Sequence, residues 1–354
     1  MAWQSASSLT LHDHEGRNTT EISGTFLKHW VSSNGDAIAV LEKAAGTKDR
    51  NDESLLILRW FDRNGRQMGV YNLSQHSDDP LPQISFNATG SHLVIAQPAI
   101  ARLIFLNVAG QTLRESFFFP DAPYSQERPF FIATSADAFV VLSQSMPSTS
   151  ADAVAPICLR FSTSGEEQWR HELPAGTAGG LAISDDGELI VASRYLVHVT
   201  QNSSRVESTI SLLKRGGKLL ANVDGLFRKA VFAKNNARLL LMDRRQLRAL
   251  DIPSGKVLWQ ANLSRRAEMF VDIAANAAQD KVFALVGSSV FKENRFVFEN
   301  ARLLGFDNSG RQQFEMPIKT ALSLPALMIS AEGQRLTLAA DGLLQNFALF
   351  NTAK

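Results

Sequence analysis

An all-β fold is predicted by three features of this 354-residue chain. The first is a strand–turn–strand motif present in seven copies: WVSSNGDAIAV (30–40), ISFNATGSHLVIA (84–96), IATSADAFVVL (132–142), LAISDDGELIVA (181–192), VFAKNNARLLLM (231–242), DIAANAAQDKVFAL (272–285) and LMISAEGQRLTLA (327–339). The second is a hairpin that follows many of these copies. QLRALDIPSGKVLWQANL (246–263) is the clearest, and segments 60–73, 105–118, 161–173 and 306–318 share its plan. Each has an apolar strand, a short polar turn ending in Gly, and a second strand with a large apolar residue, because Gly supplies the positive φ such turns require. The third is spacing: turns near 35, 90, 137, 187, 236, 280 and 333 recur about every 50 residues. Repeats of that length with four short strands predict a β-propeller.

Each repeat is then one four-stranded antiparallel blade, its strands labelled A to D. The first motif supplies A and B, and the second supplies C and D. The apolar runs LVIA, FVVL, LIVA and LLLM suit inner strands covered on both faces, whereas the alternating C–D hairpins suit strands nearer the rim. A lone blade has two apolar faces and buries them only by stacking on its neighbours.

The blades span approximately 24–75, 80–119, 129–174, 178–211, 225–264, 268–319 and 322–350. The fourth is read with YLVHVT (195–200) and VESTI (206–210) around a turn without Gly. Segment 268–279, EMFVDIAANAAQ, is Ala-rich and helical by propensity, but the repeat register makes it strand and turn. The last copy has only one further strand, LLQNFALF (343–350), while SLTLHDHEGRNTTEI (8–22) is an orphan hairpin. The N-terminal strand or strands are therefore expected to complete the last blade. The reading is one propeller domain over 1–354, seven-bladed, with eight as the alternative count.

Lys plus Arg number 36 against 35 for Asp plus Glu, a net charge of +1 that offers no general field for nucleic acid or anionic membrane. Cys158 is the single cysteine, so no intramolecular disulfide forms, and its neighbours Ile157 and Leu159 mark it as a small core residue. No run approaches about 18 apolar residues, so no direct membrane insertion is expected. The first residues, MAWQSASSLTLHDHEG, lack a basic n-region and an apolar h-region. That composition suits the cytoplasm, or a bacterial periplasm or cell envelope if a leader was removed.

Long segments at 42–54, 119–129, 144–156, 211–225 and 287–295 are assigned to B–C and D–A connections, which share one face of a propeller. Long loops on a rigid scaffold commonly carry function. Tyr124 and Arg128 offer an aromatic and Arg anchor for a protein partner, and Lys214, Arg215 and Lys218 form a basic cluster beside Gly216-Gly217. A protein partner is expected, with no nucleic acid and no small-molecule ligand.

Catalytic motifs are absent from the sequence: no G-x-S-x-G, H-E-x-x-H or G-x-G-x-x-G occurs. His12 and His14 flank Asp13 but suggest no further ligand. Asp185-Asp186-Gly187 and Asp62-Arg63-Asn64-Gly65 carry the residue types that tight turns need. No cofactor and no metal site is assigned, and a noncatalytic binding scaffold is the expectation. Two alternatives stay open. One is an enzyme whose residues converge on the channel from separate blades, of the metal-dependent hydrolase or lactonase type. The other is the ectodomain sensor of a membrane-anchored protein.

ALDIPSGKVLWQANL (249–263) resembles the repeat of PQQ-like quinoprotein propellers, in which an Asp-ended strand, a Gly turn and a Trp-bearing strand recur; FSTSGEEQWRHEL (161–173) is a looser match. The A–B copies are equally similar to WD40-like and YVTN-like bacterial propellers. Quinoprotein dehydrogenases hold their cofactor with an adjacent Cys pair and a calcium site, which this chain does not match. The resemblance thus implies a noncatalytic relative, similar in kind to the propeller scaffolds of bacterial envelope assembly factors. Trp169 and Trp259 occupy equivalent hairpin positions, which implies a packing role between blades.

Overall fold

The computed structural model describes residues 2–4, 8–12, 18–44, 53–120, 123–146, 154–200, 203–292, 295–319, 326–330, 332–340 and 343–349. These form eight antiparallel sheets in chain order, each a meander of consecutive strands. Six are four-stranded, and the first and last have three described strands. The all-β propeller prediction therefore holds, and the sheet count accommodates seven or eight blades. The chain divides into two compact units, Met1–Glu207 with Lys214–Lys218, and Ser208–Leu213 with Leu219–Lys354.

In the first unit the sheets stack face to face through side chains that strand periodicity delivers to both faces of inner strands. Ala39 and Leu41 from one sheet meet Ile84, Leu93 and Ile104 of the next. Phe105 then lies against Phe139 at 5.8 Å and Phe161 at 5.4 Å, joining the second four-stranded sheet to the third. Each such ring, fully buried, contributes about 1.5–3 kcal/mol. In the second unit Leu240 and Ala249 pack with Ile273 and Ala284, and Phe283 and Leu303 pack with Leu336 and Leu338.

Burial follows strand position. B strands such as Ala37–Lys43 and Ala138–Ser143 are buried almost throughout. C strands such as Arg102–Asn107, Ile157–Ser162 and Gln246–Asp251 are buried except at their ends. Only the D strands, including Thr112–Phe117 and Gln312–Pro317, are largely exposed. The rim is thus the D strand alone, since C is covered by both D and the adjoining sheet.

The A–B turns repeat a hydrogen bond invisible to hydropathy. Ser32 Oγ accepts from Ala37 N–H at 2.9 Å, Asn87 Oδ1 from His92 N–H at 3.0 Å, Ser184 Oγ from Leu189 N–H at 3.0 Å and Asn276 Oδ1 from Lys281 N–H at 3.1 Å. A short polar side chain at the turn's first residue thus caps the strand that leaves it. In the C–D turns, Asp62 Oδ1 accepts from Asn64 and Arg66 N–H, and Asp307 Oδ1 accepts from Ser309 and Arg311 N–H. The Asp62 and Asp186 segments are therefore the tight turns their composition indicates, with Asp186 bonding Ser184 Oγ and Glu188 N–H.

Segment 269–275 is a strand followed by a turn, as the repeat register required against propensity. Two assignments change. The fifth sheet runs over 177–224 rather than 178–211, because Ser204–Lys214 is its third strand and Leu219–Asp224 its fourth. The N-terminal hairpin is present, and among the described residues it gains a third strand, since Ala2–Gln4 pairs with Leu9–Leu11 to make a three-stranded sheet. That sheet buries Leu9 and Ile22, with Phe26 from the connection that follows, against Ile38, Val40 and Phe61. His12 side-chain geometry, Asp13 and His14 lie outside the described residues.

Candidate functional site: a braced loop surface in the first unit

Loop 119–129 follows the exposed D strand Thr112–Phe117, and its shape is set by Arg128. This residue is only 4% exposed. Its Nε–H donates to Pro98 O at 2.9 Å, Nη1 to Gln144 O at 3.2 Å and Nη2 to Pro123 O at 2.6 Å, and its guanidinium lies 5.7 Å from the Phe119 ring centre. Burial draws its pKa below the ordinary Arg value. A planar fork with donors in several directions suits such a role, because one side chain satisfies carbonyls from three segments. Arg128 is thus an interior brace and not an exposed anchor.

Tyr124 is the exposed counterpart, at 52%. Its hydroxyl donates to Asp79 Oδ1, and that bond raises the phenol pKa. Gln126 Nε2 donates to Asp78 O at 3.1 Å, and Ser125 N–H to Ala99 O at 2.9 Å. These bonds tie the loop to segments 77–82 and 98–101. Leu81 and Ile100, which lie in those two segments, are exposed as well. The three segments thus carry exposed apolar side chains and are tied together by polar bonds, with Asp78 and Glu127 also exposed on them.

Lys214, Arg215 and Lys218 lie elsewhere. They form the C–D turn of the fifth sheet, closed by Lys214 N–H to Lys218 O at 2.9 Å and Gly217 N–H to Lys214 O at 2.8 Å. The expected D–A loop at 211–225 is instead the end of the third strand, this turn and the fourth strand, because Ser204–Lys214 runs 11 residues and carries the ladder on to Leu219–Asp224. Arg215 pairs with Asp137 and, at 3.1 Å, with Glu188. Beneath it Arg160, which is 1% exposed, bonds Gln168 at 2.8 Å, Gly187 O at 2.9 Å and Asp137 at 3.1 Å. Burial pulls Arg160's pKa down while Asp137 opposes the shift. This is a cross-repeat brace through Arg215, and Lys214 and Lys218 are also exposed on the turn.

In the second unit the main charged groups are likewise engaged. Asp272 accepts from Lys229 Nζ at 2.5 Å and from Leu327 N–H at 2.7 Å, while Glu268 pairs with Arg302 at 2.8 Å and Arg265 at 3.2 Å. Among the described residues no group of three or more His, Cys, Asp or Glu is placed to hold a metal. No helix among them is long and apolar enough to cross a membrane. Cys158 is wholly buried, and burial pushes its thiol pKa far up.

The sequence missed the bracing role of Arg128 and the network in which Asp137 accepts from Ser135 Oγ at 2.8 Å as well as from Arg160. Arg160 sits at an interior C-strand position where apolar residues are usual, and that anomaly was the available signal.

Residues 158–322, somewhat under half of the chain, match the family model described as outer membrane protein assembly factor BamB. No curated protein matches by sequence. Among solved structures, the C-terminal WD40 domain of Sif2 aligns at 12% identity and a TM-score of 0.60, covering 97% of this chain and 90% of that one. Sqt1 from Chaetomium thermophilum aligns at 13% identity and 0.58, covering 91% and 80% respectively. A chain from a Mitotic Checkpoint Complex aligns at 12% identity and 0.52, covering 92% and 95%. Repeat, sheet order and these likenesses agree on the fold: the chain is a β-propeller similar to the PQQ-like and WD40-like propellers.

Proposed function

We propose that this chain is a noncatalytic scaffold that binds a protein partner through the surface built from segments 77–82, 98–101 and 119–129. The carrying observation is the contrast between Arg128 and Tyr124. The first is buried and bonded to three carbonyls, and the second is exposed and bonded to Asp79, with Leu81 and Ile100 exposed in the segments to which the loop is tied. Such preorganisation lowers the entropy cost of binding, and aromatic side chains are the strongest single anchors in protein interfaces. The noncatalytic reading is supported by the engagement of Asp137, Glu268 and Asp272 in internal ion pairs. The family description for 158–322 and the checkpoint-complex likeness both concern assemblies, which supports a protein as the partner.

A photo-crosslinking residue at position 124, in cells expressing the chain, is the test. One discrete protein adduct, absent when the same group replaces exposed Phe314, supports the surface. Equal labelling from both positions removes it.

A further inference from the structure

In the second unit, three connections of neighbouring sheets concentrate arginine. Residues 225–228 and 263–268 are D–A connections, and 243–245 is a B–C turn. Together they hold Arg228, Arg244, Arg245, Arg265 and Arg266 against Asp243 and Glu268, a balance of +3 in a chain whose whole net charge is +1. The flanking strand residues Asp224 and Lys229 cancel.

Backbone bonds stitch the three together. Arg228 N–H donates to Met242 O at 2.7 Å, Phe270 N–H to Arg244 O at 2.9 Å and Leu263 N–H to Arg245 O at 3.1 Å. The Arg245 guanidinium then donates to Leu263 O at 2.7 Å and to Arg266 O at 3.3 Å, so carbonyl dipoles and not a carboxylate meet its charge. Both carboxylates of the connections are spent. Asp243 acts on the buried Arg248, opposing the burial that lowers its pKa, and Glu268 pairs with Arg302 and Arg265. Arg228, Arg244 and Arg266 are exposed, and among the described residues their side chains have no hydrogen bond or ion pair.

We propose that these connections bind an acidic segment of a partner protein, its carboxylates pairing with Arg228, Arg244 and Arg266. The exposed residues here are Arg228, Arg244, Arg265, Arg266, Ser264 and Ala267. No exposed aromatic offers a nucleic-acid base a stacking platform, since Phe227 is only 3% exposed. No exposed large apolar residue offers a bilayer a wedge. The rest of the chain sums to −2, the difference between +1 and +3, so a long polyanion gains nothing beyond this patch. A short run of carboxylates suits it, and the patch already displays that chemistry: Glu268, 4% exposed, is gripped by Arg302 at 2.8 Å and by Arg265 at 3.2 Å.

The test is fluorescence anisotropy with the full chain, titrated up to about 1 mM into a rhodamine-labelled peptide of alternating Glu and Ser, and into its counterpart with Gln for Glu. The expected result is saturable binding of the Glu peptide alone, weakened at least tenfold by Arg244→Gln combined with Arg266→Gln. Raising NaCl from about 50 to 500 mM should weaken it by a similar factor. Arg228→Gln, on a different connection, should weaken it at least threefold. Lys214→Gln combined with Lys218→Gln, exposed cations of the first unit, should change the Kd less than twofold. No binding of the Glu peptide, equal binding of the Gln peptide, or as large a loss from the lysine changes overturns the proposal. So does tighter binding of an oligothymidylate or of phosphatidylserine vesicles than of the Glu peptide, which makes the patch a phosphate surface. Tyr124→Ala leaves peptide binding unchanged, which separates this result from the fate of the loop surface.

Discussion

The indole Nε1–H of Trp169 donates to the Arg215 carbonyl at 2.6 Å, and the same ring lies beneath Gly217, where an added Cβ would approach it to 3.0 Å. Trp259 takes the equivalent place under Gly310, at 2.5 Å, and stacks on Phe306 with ring centres 6.2 Å apart. A D-strand Trp of one repeat under the C–D turn Gly of the next is thus a repeated joint. It gives physical content to the packing role implied by the two hairpins' Trp positions.

Gly310→Ala tests the joint against Gly35→Ala. Both glycines have positive φ, 78° and 76°, so each substitution carries about 1 kcal/mol of backbone strain. Gly35 has open space around its Cα, whereas Gly310 faces the indole. Gly310→Ala is expected to cost about 1–3 kcal/mol more, by denaturant melts.

Trp60 and Trp259 separate packing from hydrogen bonding. Trp60 Nε1 donates to Val108 O at 2.7 Å, but Trp259 Nε1 is buried without a partner. Replacing each by Phe opens a similar gap, yet only Trp60→Phe strands a carbonyl. It should be the more destabilising change by about 1–2 kcal/mol, in paired urea titrations.

Arg128→Leu deprives three carbonyls of their donor at once. The expected outcome is a loss of about 2–4 kcal/mol together with faster proteolysis within 119–129. Tyr124→Ala, at an exposed position, should leave stability within about 0.5 kcal/mol and abolish only binding.

Glu207 provides the pH prediction. Hydrogen bonds from Arg194 and then His198 hold its carboxyl below the usual Glu value. Its ion pair with Arg194 is present above the ordinary Glu range and is lost as pH falls through the depressed pKa. By NMR, the Glu207 titration midpoint should lie below that of a free Glu, and Arg194→Gln should move it upward. A midpoint unmoved by that change removes the pair as its cause.

Cys158 should resist aqueous thiol reagents in the native protein and react fully in denaturant, because burial keeps the thiolate form inaccessible.

Strand order, turn chemistry and the propeller class were legible in the chain because they rest on local rules. Period-two alternation sets which strands are inner, and Ser, Asn, Asp and Gly fix the turns within five residues of themselves. Even the Ala-rich segment 268–279 yielded, since seven copies outweigh one segment's propensity. The proposed surface was legible only in part. Exposure of Tyr124 fits its type and place, but nothing local distinguishes an exposed Arg128 from one whose donors reach Pro98, Pro123 and Gln144. Likewise, the register of the 204–214 strand and the pairing of 2–4 with 9–11 depend on how far neighbouring strands run. Those outcomes belong to tertiary structure because a long polar side chain is satisfied by whichever backbone the fold brings within reach, and that backbone comes from other repeats.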